Sequence, residues 1–148
     1  MLTTDIDARG LARVTLDRPA THNAFDEALI AALTEAFTAL GSNAGVRAIL
    51  LSGNGKSFCA GADIAWMRRA GSWTEAENRA DAMKLSDMLL AIDTCPKPVI
   101  ARVHGAVAGG GVGLAACADM AVAIEGAKFR LSEVRLGLTP ATISPFVV

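Results

Sequence analysis

Residues Ser52–Asp63 read SGNGKSFCAGAD, and they follow the apolar run Val46–Leu51. That run has the length and composition of a strand covered on both faces. The loop after it is built of small residues that leave the backbone accessible. A second stretch is organised the same way. Val99–Val103 is strand-like, and the glycine-rich connection His104–Gly113 (HGAVAGGGVG) leads into Leu114–Cys117, which reads as a short helix. Loops of this kind present N–H groups at helix starts, where the helix dipole is also positive. Two such groups converging on one point form an oxyanion hole, which serves chemistry in which a carbonyl oxygen gains charge.

Around these loops the pattern alternates. Leu11–Leu16 is a β-type run closed by the turn signal Asp17-Arg18-Pro19. Asp26 is placed to cap a helix whose face carries Leu29, Ile30, Leu33, Phe37 and Leu40, with Gly41 as its stop. A short helix begins near Asp63. A longer one runs from about Thr74 to Asp93, with Ala76, Ala80, Met83 and Leu90 among its inward candidates, and Pro96 and Pro98 end it. Met120–Ile124 and Phe129–Leu131 are further strands. The order β-α-β-α-β-α-β predicts an α/β architecture. With 148 residues and no repeat or linker, the chain reads as one domain or part of one. Its end, Ile143–Val148, is apolar and has no stop signal, as expected of a chain cut short of its natural end.

Composition excludes several classes. The net charge is −1, there is no tyrosine, and Arg68-Arg69 is the only basic doublet. A nucleic-acid binder needs a cationic face and stacking surface. The longest uncharged run, Gly105–Ala118, is too short and too rich in glycine to span a bilayer. Cys59, Cys95 and Cys117 lack metal-like spacing and are read as reduced thiols of a cytoplasmic protein. Gly55-Lys56-Ser57 has Leu50 where a phosphate loop requires its first glycine. The stretch Gly109–Gly113 breaks the dinucleotide pattern at Leu114 or Ala116. No Gly-x-Ser-x-Gly elbow occurs, and His22 and His104 both sit beside turn residues. Beyond the loops, Glu133 in RLSEVRLG is the outstanding acid–base candidate.

SGNGKSFCAGADI, KPVIARVHGAVAGGGVGLAACADMAVA and AKFRLSEVRLGL, with the opening VTLDRPATHNAFDEAL, together resemble the crotonase family of enoyl-CoA hydratases and isomerases. The likeness covers nearly the whole chain, in order. It implies a spiral of repeated β-β-α units over residues 1–148, the N-terminal catalytic core, with the C-terminal helical part missing. It implies an acyl-CoA thioester as substrate, no metal and no resident cofactor, and assembly of the full-length protein as a homotrimer or a dimer of trimers. By the same resemblance, the N–H groups of Ala62 and Gly110 would hold the thioester oxygen. Ala60, Gly61, Ala62, Asp63 and Ile64 would line the CoA pocket with Gly110, and Lys56 could assist a CoA phosphate. Trp66 and Met67 could wall the acyl pocket.

Hydratases of the family typically use two glutamates. Counted from Gly110, the first position is Gly113 and the second is Glu133. One carboxylate can still act as base and then as acid, so Glu133 is expected to carry the proton chemistry of a hydratase. A Δ3–Δ2 enoyl-CoA isomerase and a non-catalytic relative are the alternatives, and an ion pair with Arg130 or Arg135 is the structural alternative for Glu133 itself. Within the family, GGGVGLAACADMAVA, LSEVRLGLTPATISPF and CAGADIAWM look most like bacterial hydratases of branched glutaconyl-CoA esters, such as 3-methylglutaconyl-CoA and isohexenylglutaconyl-CoA. A second substrate carboxylate would call for a cation, with Arg68, Arg69, Arg102, Arg130 and Arg135 as candidates.

Overall fold

The computed structural model describes residues 1–147; Val148, the last residue of the apolar end noted above, lies outside them. The strands are β1 (Leu2–Ile6), β2 (Leu11–Leu16), β3 (Ala48–Gly53), β4 (Val99–Val103), β5 (Ala106–Ala108), β6 (Met120–Ala123) and β7 (Lys128–Arg130). The helices are α1 (Glu27–Ser42), α2 (Ile64–Ala70), α3 (Glu75–Asp93), α4 (Gly110–Ala116) and α5 (Ser144–Val147). Five strands form one sheet in the order β1-β2-β3-β4-β6, and β5 pairs with β7 in a second, two-stranded sheet. Among the described residues only the β1–β2 pairing is antiparallel.

Period-two alternation places Ala12, Val14, Leu16, Ile49, Leu51, Val99, Ala101 and Val103 in the core. That core also takes in Leu29, Leu33 and Phe37 of α1 and Met88, Leu89 and Ile92 of α3. Burying a side chain of this size stabilises by about 1.5–3 kcal/mol relative to leaving it exposed. The other sheet face is thinly covered: Leu50 and Ile100 are only half-buried, so β3 is not the doubly covered strand expected.

The helix starts follow side-chain chemistry. Asp26 Oδ1 accepts the Leu29 N–H at 2.9 Å and caps α1. Thr74 and Glu77 form a reciprocal capping box at the start of α3. Two expectations need correction. Gly41 does not stop α1; it lies inside the helix against Pro96, and Asn43 is the C-cap. The inward face of α3 is Met88, Leu89 and Ile92, while Ala76, Ala80, Met83 and Leu90 are exposed. Only the C-terminal part of α3 reaches the core, so periodicity read along the whole helix selected the wrong edge. β1 and β5, which the sequence reading did not place, exist through pairing with β2 and β7.

Candidate active site

The loop after β3 runs between two neighbours and bonds to both. On one side Ala60 N–H donates to His22 O at 3.0 Å, Phe25 N–H to Gly61 O at 2.7 Å, and Asp63 N–H to Phe25 O at 2.7 Å. On the other, Cys59 pairs with Val107, with Ala108 N–H donating to Cys59 O at 3.0 Å. Gly61 is required between them. Its φ is +88°, and a β-carbon there would stand 2.7 Å from Ala108 O and 3.4 Å from Gly110 N. The two glycine-rich stretches therefore touch at this point.

The pairing also fixes what remains free. Gly61 C=O and Asp63 N–H are both spent on Phe25, so the N–H of Ala62 points to the opposite side of the loop. It makes no hydrogen bond to another described residue, and neither does the N–H of Gly110, the first residue of α4. Both residues line one cavity of about 210 Å³.

Glu133 lines the same cavity. It opens a single 3-10 turn, Glu133–Leu136, closed by Gly137. Its Oε1 lies 3.0 Å from where a β-carbon on Gly109 would stand, which sets the carboxylate beside the glycine triple. Its Oε2 is buried and has no hydrogen-bond partner among the described residues. Neither Arg130 nor Arg135 pairs with it in any ion pair among those residues. Leaving a buried polar atom unpaired costs on the order of 1–3 kcal/mol, and a catalytic role is one explanation for such an atom.

Of the residues assigned to the CoA pocket, Ala60, Gly61, Ala62 and Gly110 line the cavity. Asp63 and Ile64 do not: Asp63 caps α2 and faces Arg18, and Ile64 is 67% exposed. Cys59 is fully buried, and burial pushes its thiol pKa up to about 12, so it stays protonated and packs. Lys56 is exposed.

A second cavity, about 430 Å³, shares Ala62, Met67, Leu85, Leu138 and Thr142 with the first. Trp66 and Met67, named from the sequence as candidates for an acyl wall, line it, and Trp66 is also part of the core. Its unanticipated feature is Asp81. Burial first, then repulsion from Glu27, raises that carboxyl above its ordinary value, against weaker opposition from Lys84. Among the described residues no arginine lines either cavity, and Arg69 is paired with Glu27 at 2.8 Å.

Sequence reasoning also missed what stands opposite Gly113. A β-carbon there would lie 2.8 Å from Ile143 Cγ2 and 3.0 Å from Ile143 Cβ. The place where the family's first glutamate would project is filled by Ile143, which is itself 3% exposed and lines the cavity. No local signal joins residues 113 and 143.

Residues 7–148 match the family model for enoyl-CoA hydratase/isomerase. The chain belongs to the enoyl-CoA hydratase/isomerase family. It is 41% identical over 139 residues to the enoyl-CoA hydratase AKT6-1 of Alternaria alternata, covering 94% of this chain and 45% of that protein. It is 38% identical over 131 residues to the crotonyl-CoA hydratase of Syntrophomonas wolfei, covering 88% and 49%. The crystal structure of an enoyl-CoA hydratase from Shewanella pealeana superposes with a TM-score of 0.95 at 44% identity, covering 99% of this chain and 55% of that one. The fold is thus the crotonase fold expected from the sequence. This chain spans about half the length of the family members it matches.

Proposed function

We propose that the protein hydrates a 2-enoyl-CoA, adding water across the double bond next to the thioester. The observation that carries this is one cavity holding two unpaired N–H groups, of Ala62 and Gly110, and the unpaired Oε2 of Glu133. The thioester oxygen would accept both N–H groups. Glu133 would take a proton from water as the oxygen adds to Cβ. The electron pair of the double bond moves toward the thioester, which becomes enolate-like, and a proton then returns to Cα. Stabilisation of that charge by one such donor is typically worth roughly 3–4 kcal/mol. CoA enters as part of the substrate, so no resident cofactor belongs to this reading, and its setting is the cytoplasm.

The finer assignment to 3-methylglutaconyl-CoA rests on the look of the sequence and requires a cation for the second carboxylate. With Asp81 rather than arginine on the second cavity, neither cavity supplies that cation among the described residues. A trimer, or a dimer of trimers, is the assembly this function carries. Met120, Val122, Ile124 and Phe129, each half exposed or more, are apolar surface open to it.

The test is the full-length protein in ¹⁸O-labelled water with crotonyl-CoA and 3-methylglutaconyl-CoA. The expected product is a 3-hydroxyacyl-CoA carrying the label, and the preferred ester decides the substrate class. One observation favours a second reading, a Δ3–Δ2 isomerase: Ile143 fills the space facing Gly113, so a single carboxylate serves the cavity. Unlabelled 2-enoyl-CoA formed from a 3-enoyl-CoA, without label uptake by either 2-enoyl ester, would establish it.

A further inference from the structure

Arg18 lies outside the cavity, yet its contacts converge on the loop that presents Ala62. We infer that Arg18 is a positioning residue that sets the direction of the Ala62 N–H, an inference that rests on Ala62 being an oxyanion donor. The guanidinium joins two helix caps. Its Nη2 lies 2.9 Å from Asp26 Oδ2 and 3.3 Å from Asp63 Oδ2, while Nη1 donates to Ala24 O. Asp26 caps α1, and Asp63 caps α2 through Ala65 N–H at 2.8 Å and Trp66 N–H at 3.2 Å. The three side chains are 13–22% exposed, so solvent screens them less than it would surface pairs.

Both caps flank the active backbone. Asp26 follows Phe25, and Phe25 pairs with Ala62; Asp63 follows Ala62 directly. Pulling Asp26 and Asp63 onto one cation holds the two segments in the register that turns the Ala62 N–H away from Phe25. Asn23 anchors the same corner. It is fully buried with φ +56°, accepts Arg18 N–H on Oδ1 at 2.8 Å, and donates from Nδ2 to Asn54 O and Ser57 O, each at 2.9 Å. Burial acts against the charge on Asp63, but the Trp66 and Ala65 N–H groups and Arg18 prevail and hold its pKa below the ordinary aspartate value. Asp63 therefore meets Arg18 as a carboxylate at neutral pH.

The experiment uses full-length wild type and the variants Arg18→Met, Arg18→Lys and Asp63→Asn. Asparagine caps a helix about as well as aspartate, so the last keeps the α2 cap while losing the charge. Turnover of crotonyl-CoA is measured with binding of a 4-(dimethylamino)cinnamoyl-CoA ester, whose absorption moves to the red when its thioester carbonyl is polarised. Misplacing a catalytic group by about 1 Å can cost on the order of 100-fold. Arg18→Met is expected to lower kcat by about tenfold to a hundredfold with KM changed less than about threefold, and to shrink the red shift. Asp63→Asn should show the same signature to a smaller extent, and Arg18→Lys should recover part of the shift. A full red shift and wild-type kcat in folded Arg18→Met or Asp63→Asn, with only the melting temperature lowered, would overturn the role of Arg18. A wild-type protein that gives neither turnover nor shift would overturn the oxyanion reading of Ala62, and this inference with it.

Discussion

The cavity has two unlike walls. One, made of residues 59–63 and 106–110, is tied by backbone hydrogen bonds to elements on both sides and rests on the fully buried Phe25, Cys59 and Val107. The other, residues 131–140, carries Glu133 on a single 3-10 turn. Its backbone bonds are local, such as Leu138 N–H to Glu133 O at 3.1 Å, and Val134, Leu136 and Leu138 are 50–78% exposed. The difference would suit the two tasks proposed for these residues. Dipoles that stabilise a developing charge act best when fixed before the reaction. A carboxylate that moves a proton must come within hydrogen-bond reach of it, about 2.6–3.2 Å between heavy atoms.

The largest effect should come from the thin wall. Glu133→Gln removes the base but keeps the shape, so turnover should fall by about 10²–10⁴ while binding of the CoA ester persists. Label incorporation from ¹⁸O water and calorimetric titration with a non-reactive CoA thioester separate the two quantities. Retained turnover would remove Glu133 from the chemistry.

The tied wall should respond differently. Gly61→Ala forces a side chain into φ +88° and against Ala108 O. Displacing one oxyanion donor should lower kcat by roughly 10²–10³. Unlike Glu133→Gln, this change should also lower the melting temperature, since a residue held in such a conformation costs about 1–3 kcal/mol. A Gly61→Ala protein with unchanged melting and lowered kcat would show that the loop is less tied than its hydrogen bonds indicate.

How legible each wall was in the sequence follows from how local its causes are. Gly61, Ala62 and Gly110 belong to glycine-rich loops after apolar runs, and Glu133 was the one conspicuous acid beyond them, so chemistry and likeness to a family singled out four residues that the fold sets around one cavity. Asp26 and the Thr74–Asp93 helix were readable because caps and periodicity lie within a few residues of each other. The inner face of α3 was misread because which of its apolar edges is covered depends on α1 and β-strands far away in the chain. Asp81 on the second cavity and Ile143 against Gly113 were invisible for the same reason. Each is an ordinary residue until the fold sets it beside a partner 20 or more positions away.

The Gly113–Ile143 contact lies just past both walls, between α4 and the segment after residue 140, and can be tested directly. Gly113→Glu places a carboxylate into space held by Ile143, so it should destabilise by roughly 1–3 kcal/mol or more and bring no gain in hydration. Ile143→Ala in that background should restore part of the stability. The double-mutant cycle should give a coupling above about 0.5 kcal/mol, as for residues in contact. Additive changes in chemical denaturation would mean that Ile143 is not what excludes a glutamate at position 113.

The smallest effect isolates burial as the reason Arg18 matters. A second arginine, Arg69, also links α1 to α2, through a bond of 2.8 Å from Nη2 to Glu27 Oε2, but these side chains are 54% and 38% exposed. Exposed pairs are typically worth about 0.2–1 kcal/mol. Glu27→Gln should therefore cost less than about 1 kcal/mol and leave kcat and the chromophore shift unchanged. The hydrogen bond from Arg69 holds the Glu27 pKa below its ordinary value. A lowered folded pKa contributes stability above the unfolded pKa and loses it as the pH falls through the folded one. The stability gap between wild type and Glu27→Gln should accordingly close in acid, which denaturant titrations at neutral and low pH would register. If Glu27→Gln instead lowered kcat as Arg18→Met is expected to, any link between α1 and α2 would serve, and the buried position of Arg18 would carry no special role.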